Sequence, residues 1–353
     1  MNTTPGSRPS SRPAVTVIIV TFNAGGFLQP CIDALSRQTF TDFEAIIVDN
    51  NSTDGAIDTL ALPDERFTVL RQTENLGFAA ANNLAARRSG APWIATLNPD
   101  TEAAPRWLAA LLDTAARWPG AASVGSTQIR LHEPDILDGA GDVWHAAGVG
   151  WRALEGRPLA ENPEEGETFA ACAAGALYRA DAFEALGGFD EHFFCYCEDL
   201  DLGFRLRAQG WAIVQSPDAL LLHAGSGTTG RYSEFTVFHG HRNRVWTFVK
   251  NTPGLMMWLL LPAHIAINLR MLQKAPSPEY AAALKRAYAA AWRGLLPVLR
   301  ARWREQGHRR VGMLTLARAL AWRPALVAAR AALLDEDGHR VAMAPARGLD
   351  ARK

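Results

Sequence analysis

The stretch Val15–Gly26, "VTVIIVTFNAGG", decides the fold. Six apolar or β-branched residues run without a charge and then give way to a small, polar loop. A continuous run of this kind marks a strand buried on both faces, and such strands belong to parallel sheets wrapped by helices. A helical pattern follows near Leu28 to Gln38. The same alternation then repeats: "FEAIIVD" (43–49) and "RFTVLR" (66–71) read as strands, and 76–90 as a helix ended by Gly90. "PWIATLN" (92–98) reads as a strand, 104–118 as a helix and 121–131 as a further strand. Residues 169–191 give a strand and a short helix. A helix is expected over 200–209, then strand-like "WAIVQ" (211–215) and "ALLLH" (219–223). This order predicts an α/β fold with a mostly parallel central sheet. Residues 132–168, rich in Gly, Pro, Asp and Glu, show no clean period and read as a loop-like insertion.

The chain has 353 residues, 48% hydrophobic and 20% charged, which describes a full core and excludes a disordered protein. Residues 1–14 read as a disordered lead without a signal peptide, so the domain at 15–250 is expected in the cytoplasm. Four cysteines do not make a disulfide framework at this length and read as reduced structural thiols. The formal net charge is zero, but residues 281–353 carry fifteen Lys/Arg against five Asp/Glu. From 251 the chain becomes helical and basic. Residues 253–272 hold about 15 nearly continuous apolar residues, broken by Pro262 and His264, where a bilayer span needs ~20. Basic helices with Trp and Leu suit a membrane interface or packing on the main domain, and both readings stay open.

Ligands of an open parallel sheet gather beyond the carboxyl ends of its strands. Those ends carry "TFNAGG", "DNNSTDG", "NPDT" and "HAGSGT", all small and polar. Carboxylates without lysines suit a diphosphate when a divalent cation sits between, and Asp100 and His223 stand where they would supply an oxygen and an imidazole. The dinucleotide, P-loop ATPase and hydrolase-elbow signatures are absent.

Taken together, "VTVIIVTFNAGGFLQPCIDAL", "IIVDNNSTDG", "ENLGFAAANN", "LNPDT", "GGFDEHFFCYCEDLDLGFRLRAQGW" and "HRNRVWTFVKN" resemble the successive motifs of glycosyltransferase family 2, in its bacterial rhamnosyltransferase-like branch. The resemblance covers roughly 15–251. It implies a Rossmann-like GT-A fold, a nucleotide-diphospho-sugar donor, a glycan or lipid-linked acceptor, and a cation, Mg2+ or Mn2+. It places Thr21, Asn23, Asp49, Asn98, Arg242 and Asn243 at the donor, and Asp100 and His223 at the metal. Asp199, directly before the expected helix, matches the general base, with Glu198 shaping the site. Asn98 departs from the usual aspartate of the D-x-D element. The acidic run beside Phe193 and Phe194 gains a reason: an inverting transfer needs a carboxylate to take the acceptor proton. The expected place is peripheral on the inner face of the membrane, with an anionic lipid surface but no nucleic acid as partner. The rival readings are a nucleotidylyltransferase, whose cationic loop is missing here, a processive synthase, whose Q-x-x-R-W motif is missing, and a non-catalytic membrane-tethered scaffold.

Overall fold

The computed structural model describes residues 12–225 and 233–330; most of the expected lead and the last 23 residues of the basic tail lie outside them. The strands are β1 (Val15–Thr21), β2 (Phe43–Asp49), β3 (Phe67–Arg71), β4 (Trp93–Leu97), β5 (Thr101–Ala103), β6 (Ala121–Arg130), β7 (Glu133–Ala140), β8 (Asp142–His145), β9 (Val149–Arg152), β10 (Gly166–Glu167), β11 (Gly175–Arg179) and β12 (Ala212–His223). The helices are α1 (Leu28–Ser36), α2 (Gly77–Ala86), α3 (Trp107–Arg117), α4 (Ala180–Ala185), α5 (Glu198–Ala208), α6 (Glu234–Asn251), α7 (Gly254–Gln273), α8 (Pro278–Arg293), α9 (Leu295–His308), α10 (Met313–Arg318) and α11 (Pro324–Ala329).

The main sheet has the order β10-β12-β6-β11-β4-β1-β2-β3. Neighbouring β3, β2, β1 and β4 are parallel, and so are β6 and β12. Only β11, antiparallel to both β4 and β6, interrupts the run between them. The expectation of a Rossmann-like, mostly parallel α/β sheet is met, and all the parallel strands deliver their carboxyl ends to one edge. Alternation along β1 explains the layering. Val15, Val17 and Ile19 pack with Leu28, Ile32 and Trp107 of α1 and α3, whereas Ile18 and Val20 pack with Ala79, Phe183 and Leu206 of α2, α4 and α5. Both faces are dry, as the uncharged strand sequences require.

Three sequence-based expectations need correction. Residues 132–168 are no loop. They hold β7, which pairs antiparallel with β6 through two register shifts, the β8–β9 hairpin and short β10. Edge pairing with bulges suits polar, Gly-bearing segments and leaves no regular period to read. The strands expected at 211–215 and 219–223 are one strand, β12, whose ladder slips between Ser216 and Leu220, beside Pro217. Helix α5 begins at Glu198 rather than Leu200, so Asp199 lies inside its first turn. Acidic groups there oppose the helix dipole favourably.

The C-terminal helices pack on the domain through one side. Trp246 donates to the Ala291 carbonyl at 3.0 Å, Arg302 donates to the Val249 and Thr252 carbonyls, and Ala321 exchanges main-chain bonds with Trp144 and Ala146. Helix α7 runs on through Pro262 and is, by length and composition, long and apolar enough to cross a membrane. Its Leu255, Trp258, Leu259 and Leu269 are exposed.

Asp201 is fully buried and ties α5 to α6. It accepts from Arg205 Nε at 2.8 Å, Lys250 Nζ at 2.9 Å and Asn251 Nδ2 at 2.7 Å. Removing one member of a buried ionic group strands the others, at a cost of about 3–5 kcal/mol. Asp201→Ala should lose stability on that scale in urea denaturation; a loss below about 1 kcal/mol would show that the network is replaceable.

Candidate active site

The carboxyl edge of the sheet surrounds a cavity of about 180 Å3. Asn98 and Asp100 reach it from the turn after β4, and His223 from the end of β12. Those ends meet because β5, just after Asp100, pairs antiparallel with β12, setting Thr101 against His223. His223 Nε2 lies 3.5 Å from Asp100 Oδ1, and its Nδ1 lies 2.7 Å from Asp138 Oδ2. Burial disfavours the charged imidazole, yet Asp100 and Asp138 outweigh it and hold the pKa above its ordinary value. Arg152 of β9 completes the group, pairing with Asp138 and standing 3.4 Å from His223 Nδ1.

Phe194, Cys195 and Tyr196 form the opposite wall. Phe194, Tyr196 and Cys197 all have positive φ, an unusual run for residues with side chains. Asn243, fully buried, holds this loop by donating to the carbonyls of Phe193, Cys195 and Tyr196 at 2.7–2.9 Å. Phe194 lies directly over Gly77, where φ is +81° and any Cβ would come within 2.5 Å of its ring. Only glycine admits that approach.

Asp199 is partly exposed at the start of α5. Its carboxylate accepts the N–H groups of Ala173 at 3.2 Å and Leu200 at 2.8 Å. The neighbouring Ala174 carbonyl accepts from the Asn98 N–H at 2.9 Å, so one short main-chain segment joins the base candidate to the cavity. Burial raises the Asp199 pKa above the ordinary aspartate value, and its backbone donors offset this only in part. Glu198 is buried with Oε2 unpartnered, and burial followed by the Asp199 charge pushes its pKa well up. Asp142 and Cys172 bring a carboxylate and a thiol within 4.8 Å of Asp199. Burial first, then the Asp199 charge, raises the Asp142 carboxyl, and burial pushes the thiol up to about 12.

Other sequence-derived candidates lie around this centre rather than in it. Thr21 ends β1, and its carbonyl accepts from Asn50 N–H at 2.9 Å. Asn23 Oδ1 accepts from Thr53 N–H and Asp49 Oδ1 from Ser52 N–H, so both shape the loop after β2. Arg242 was expected at the diphosphate, but it donates to Phe193 O and lies 4.4 Å from the centre of the Trp246 ring. With Asn243 it holds the loop wall and does not line the cavity. Asp138, Asp142 and Arg152 were missed because they sit in the segment that showed no period. No spacing in the sequence singles them out.

The glycosyl transferase family 2 model matches residues 16–187. An N-acetylglucosaminyl-diphospho-decaprenol L-rhamnosyltransferase of Mycobacterium tuberculosis is 33% identical over 238 residues, covering 61% of this chain and 77% of that protein. Among solved structures, a mannosyltransferase from Pyrobaculum calidifontis in complex with GDP-Man and Mn2+ aligns with TM-score 0.50 and 19% identity, over 85% of this chain and 88% of that one. GalNAc-T7 with UDP, GalNAc and Mn2+ aligns with TM-score 0.58 and 14% identity, over 79% of this chain and 55% of that one. These two support the GT-A fold, and the sequence matches carry the family: the chain belongs to glycosyltransferase family 2, in its rhamnosyltransferase-like branch.

Proposed function

We propose that the enzyme transfers a deoxyhexosyl group, rhamnosyl from dTDP-rhamnose as first choice, with inversion onto a hydroxyl of a lipid-linked glycan. The observation that carries this reading is the 33% identity to a protein named for rhamnosyl transfer to a diphospho-decaprenol acceptor. The donor is assigned to the cavity between Asp100, His223 and Phe194, with the nucleoside toward Thr21, Asn23 and Asp49.

The residues present fit a divalent cation, Mg2+ or Mn2+. Asp100 offers an oxygen. His223 offers Nε2, while Asp138 receives its Nδ1 proton and fixes the tautomer, as carboxylates do behind metal-bound histidines. Two protein ligands leave room for diphosphate oxygens. When bound, the cation would compensate the charge of the departing nucleoside diphosphate.

Asp199 takes the acceptor proton in this reading. A raised pKa makes it a stronger base once ionised, and the Ala173 and Leu200 N–H groups keep its carboxylate aimed. Glu198 surrounds the base without contacting the reacting hydroxyl. The exposed apolar face of α7 and the basic tail support a peripheral position on the anionic inner face of the membrane, where each basic residue would add about 1 kcal/mol.

Calorimetry should find tightest binding for dTDP-rhamnose among nucleotide-sugars, dependent on Mg2+ or Mn2+, and Asp100→Ala should lose that dependence while staying folded. Equal affinity and turnover in a chelator would remove the cation from the reading; preference for another donor would replace the sugar.

Asp199→Asn should lower turnover by ~10²–10⁴ with donor affinity unchanged. A carboxyl whose pKa is raised by folding weakens the fold at pH values above its unfolded pKa, when it ionises, so the same variant should melt no lower than wild type at pH 7. It should also remove the acid limb of the pH–rate profile. Near-normal turnover in this variant would reassign the base.

The full chain should co-sediment with anionic vesicles at low salt, and Leu259→Asp combined with Trp303→Ser should cut binding at least about tenfold. Failure of the full chain to bind would leave those helices as ordinary surface.

A further inference from the structure

Arg244 of α6 is 6% exposed, and no carboxylate pairs with it among the described residues. Its Nη1 donates to the Gly148 carbonyl at 2.9 Å and its Nη2 to Asn268 Oδ1. Its Nε has no partner. The Tyr288 hydroxyl is a further partner. All of these groups are neutral, so a full positive charge is buried without a carboxylate against it, which proteins avoid at considerable cost. Arg244 borders a cavity of about 310 Å3, also lined by Trp144, Cys197, Leu200, Gly240 and His241. Trp144 Nε1, on a side chain with no exposed surface, and His241 Nδ1 likewise have no partner. A guanidinium with an indole N–H and an imidazole nitrogen nearby suits a phosphate-type anion.

The place of this cavity says which substrate would bring the anion. It shares no lining residue with the donor cavity. Two of its lining residues, Cys197 and Leu200, flank Glu198 and Asp199 in the chain, so the start of α5 borders both the cavity and the base candidate. On the other side Arg244 holds Asn268, which also lines an apolar groove of about 520 Å3 between α6, α7, α8 and α9. Val245, Leu261, Ile265, Leu269 and Trp292 face that groove. A sugar, phosphate and hydrocarbon are the three parts of a lipid-linked acceptor, and α5 with the base candidate, the buried cation on α6 and the apolar groove offer a counterpart to each.

We propose that Arg244 binds the diphosphate of the acceptor and that the adjoining groove holds the first part of its hydrocarbon chain. This rests on the lipid-linked reading above. The groove's occupant is the acceptor's own chain, because a hydrogen bond from Arg244 on the cavity to Asn268 on the groove links the two linings and holds the cation beside the apolar surface.

Farnesyl diphosphate, farnesol and inorganic diphosphate serve as probes on the full-length protein, by calorimetry with dTDP binding as control. Wild type should bind farnesyl diphosphate, and Arg244→Gln should weaken it about tenfold or more. Gly240→Leu gives a second variant that folds readily, since a Cβ there meets nothing within 4 Å. It should fill the cavity and weaken the same probe, deciding the matter if Arg244→Gln does not fold. Ile265→Ser should weaken farnesyl diphosphate and farnesol and leave inorganic diphosphate unchanged. None of the three should alter dTDP affinity. Farnesyl diphosphate binding that survives both Arg244→Gln and Gly240→Leu overturns the site and leaves the lipid-linked reading standing. No binding by wild type overturns the proposal; transfer to a soluble glycan by the same preparation would overturn the lipid-linked reading as well.

Discussion

One carboxylate without exposed surface, Asp201, fastens the catalytic half of the molecule. Its two oxygens receive Arg205, Lys250 and Asn251, and the two cations go further. Lys250 reaches Asp190 at 2.6 Å, and Arg205 donates to the carbonyls of Leu186 and Gly188. Helix α5, helix α6 and the loop entering the aromatic wall are therefore joined through a single buried charge. Two positive partners against two carboxylates balance locally, which is the condition for tolerating such charges in a dry interior. Asp199 stands two residues before this anchor, so α5 carries the proposed base at a place that α6 holds.

The adjacent acidic residues of "CEDLD" thus divide their work by direction. Asp201 points into ionic partners and loses its freedom. Asp199 points toward main-chain donors and keeps some solvent contact. Glu198 has an unpartnered oxygen in an apolar surround, where neutrality is the cheaper state. A helix turns about 100° per residue, so neighbours in sequence meet unlike surroundings.

What the sequence disclosed followed from periodicity. Strands such as "VTVIIV" are dry on both faces and leave an unmistakable run, and their polar ends pointed to Asn98, Asp100 and His223 together. The helix start at Glu198 was missed because an acidic first turn reads equally well as loop. The missing members come from short strands of that segment: Asp138 from β7, whose ladder with β6 slips twice, and Asp142 and Arg152 from the four-residue strands of the β8–β9 hairpin, too short to show a period. Arg242 and Asn243 show a different limit. They were expected near the diphosphate, and only packing shows that these two side chains hold a loop while Arg244, two residues after Arg242, borders a cavity.

The reversed strand β11 has an effect on tolerance to change. Because it runs against its neighbours, its entrance lies where theirs exit, so Ala173 just before it stands at the catalytic edge. The donor it gives Asp199 is a main-chain N–H, which nineteen of the twenty amino acids supply. Aim of the Asp199 carboxylate is therefore encoded in the path of the chain rather than in the identity of residue 173. Proline alone among the replacements removes that donor by its chemistry.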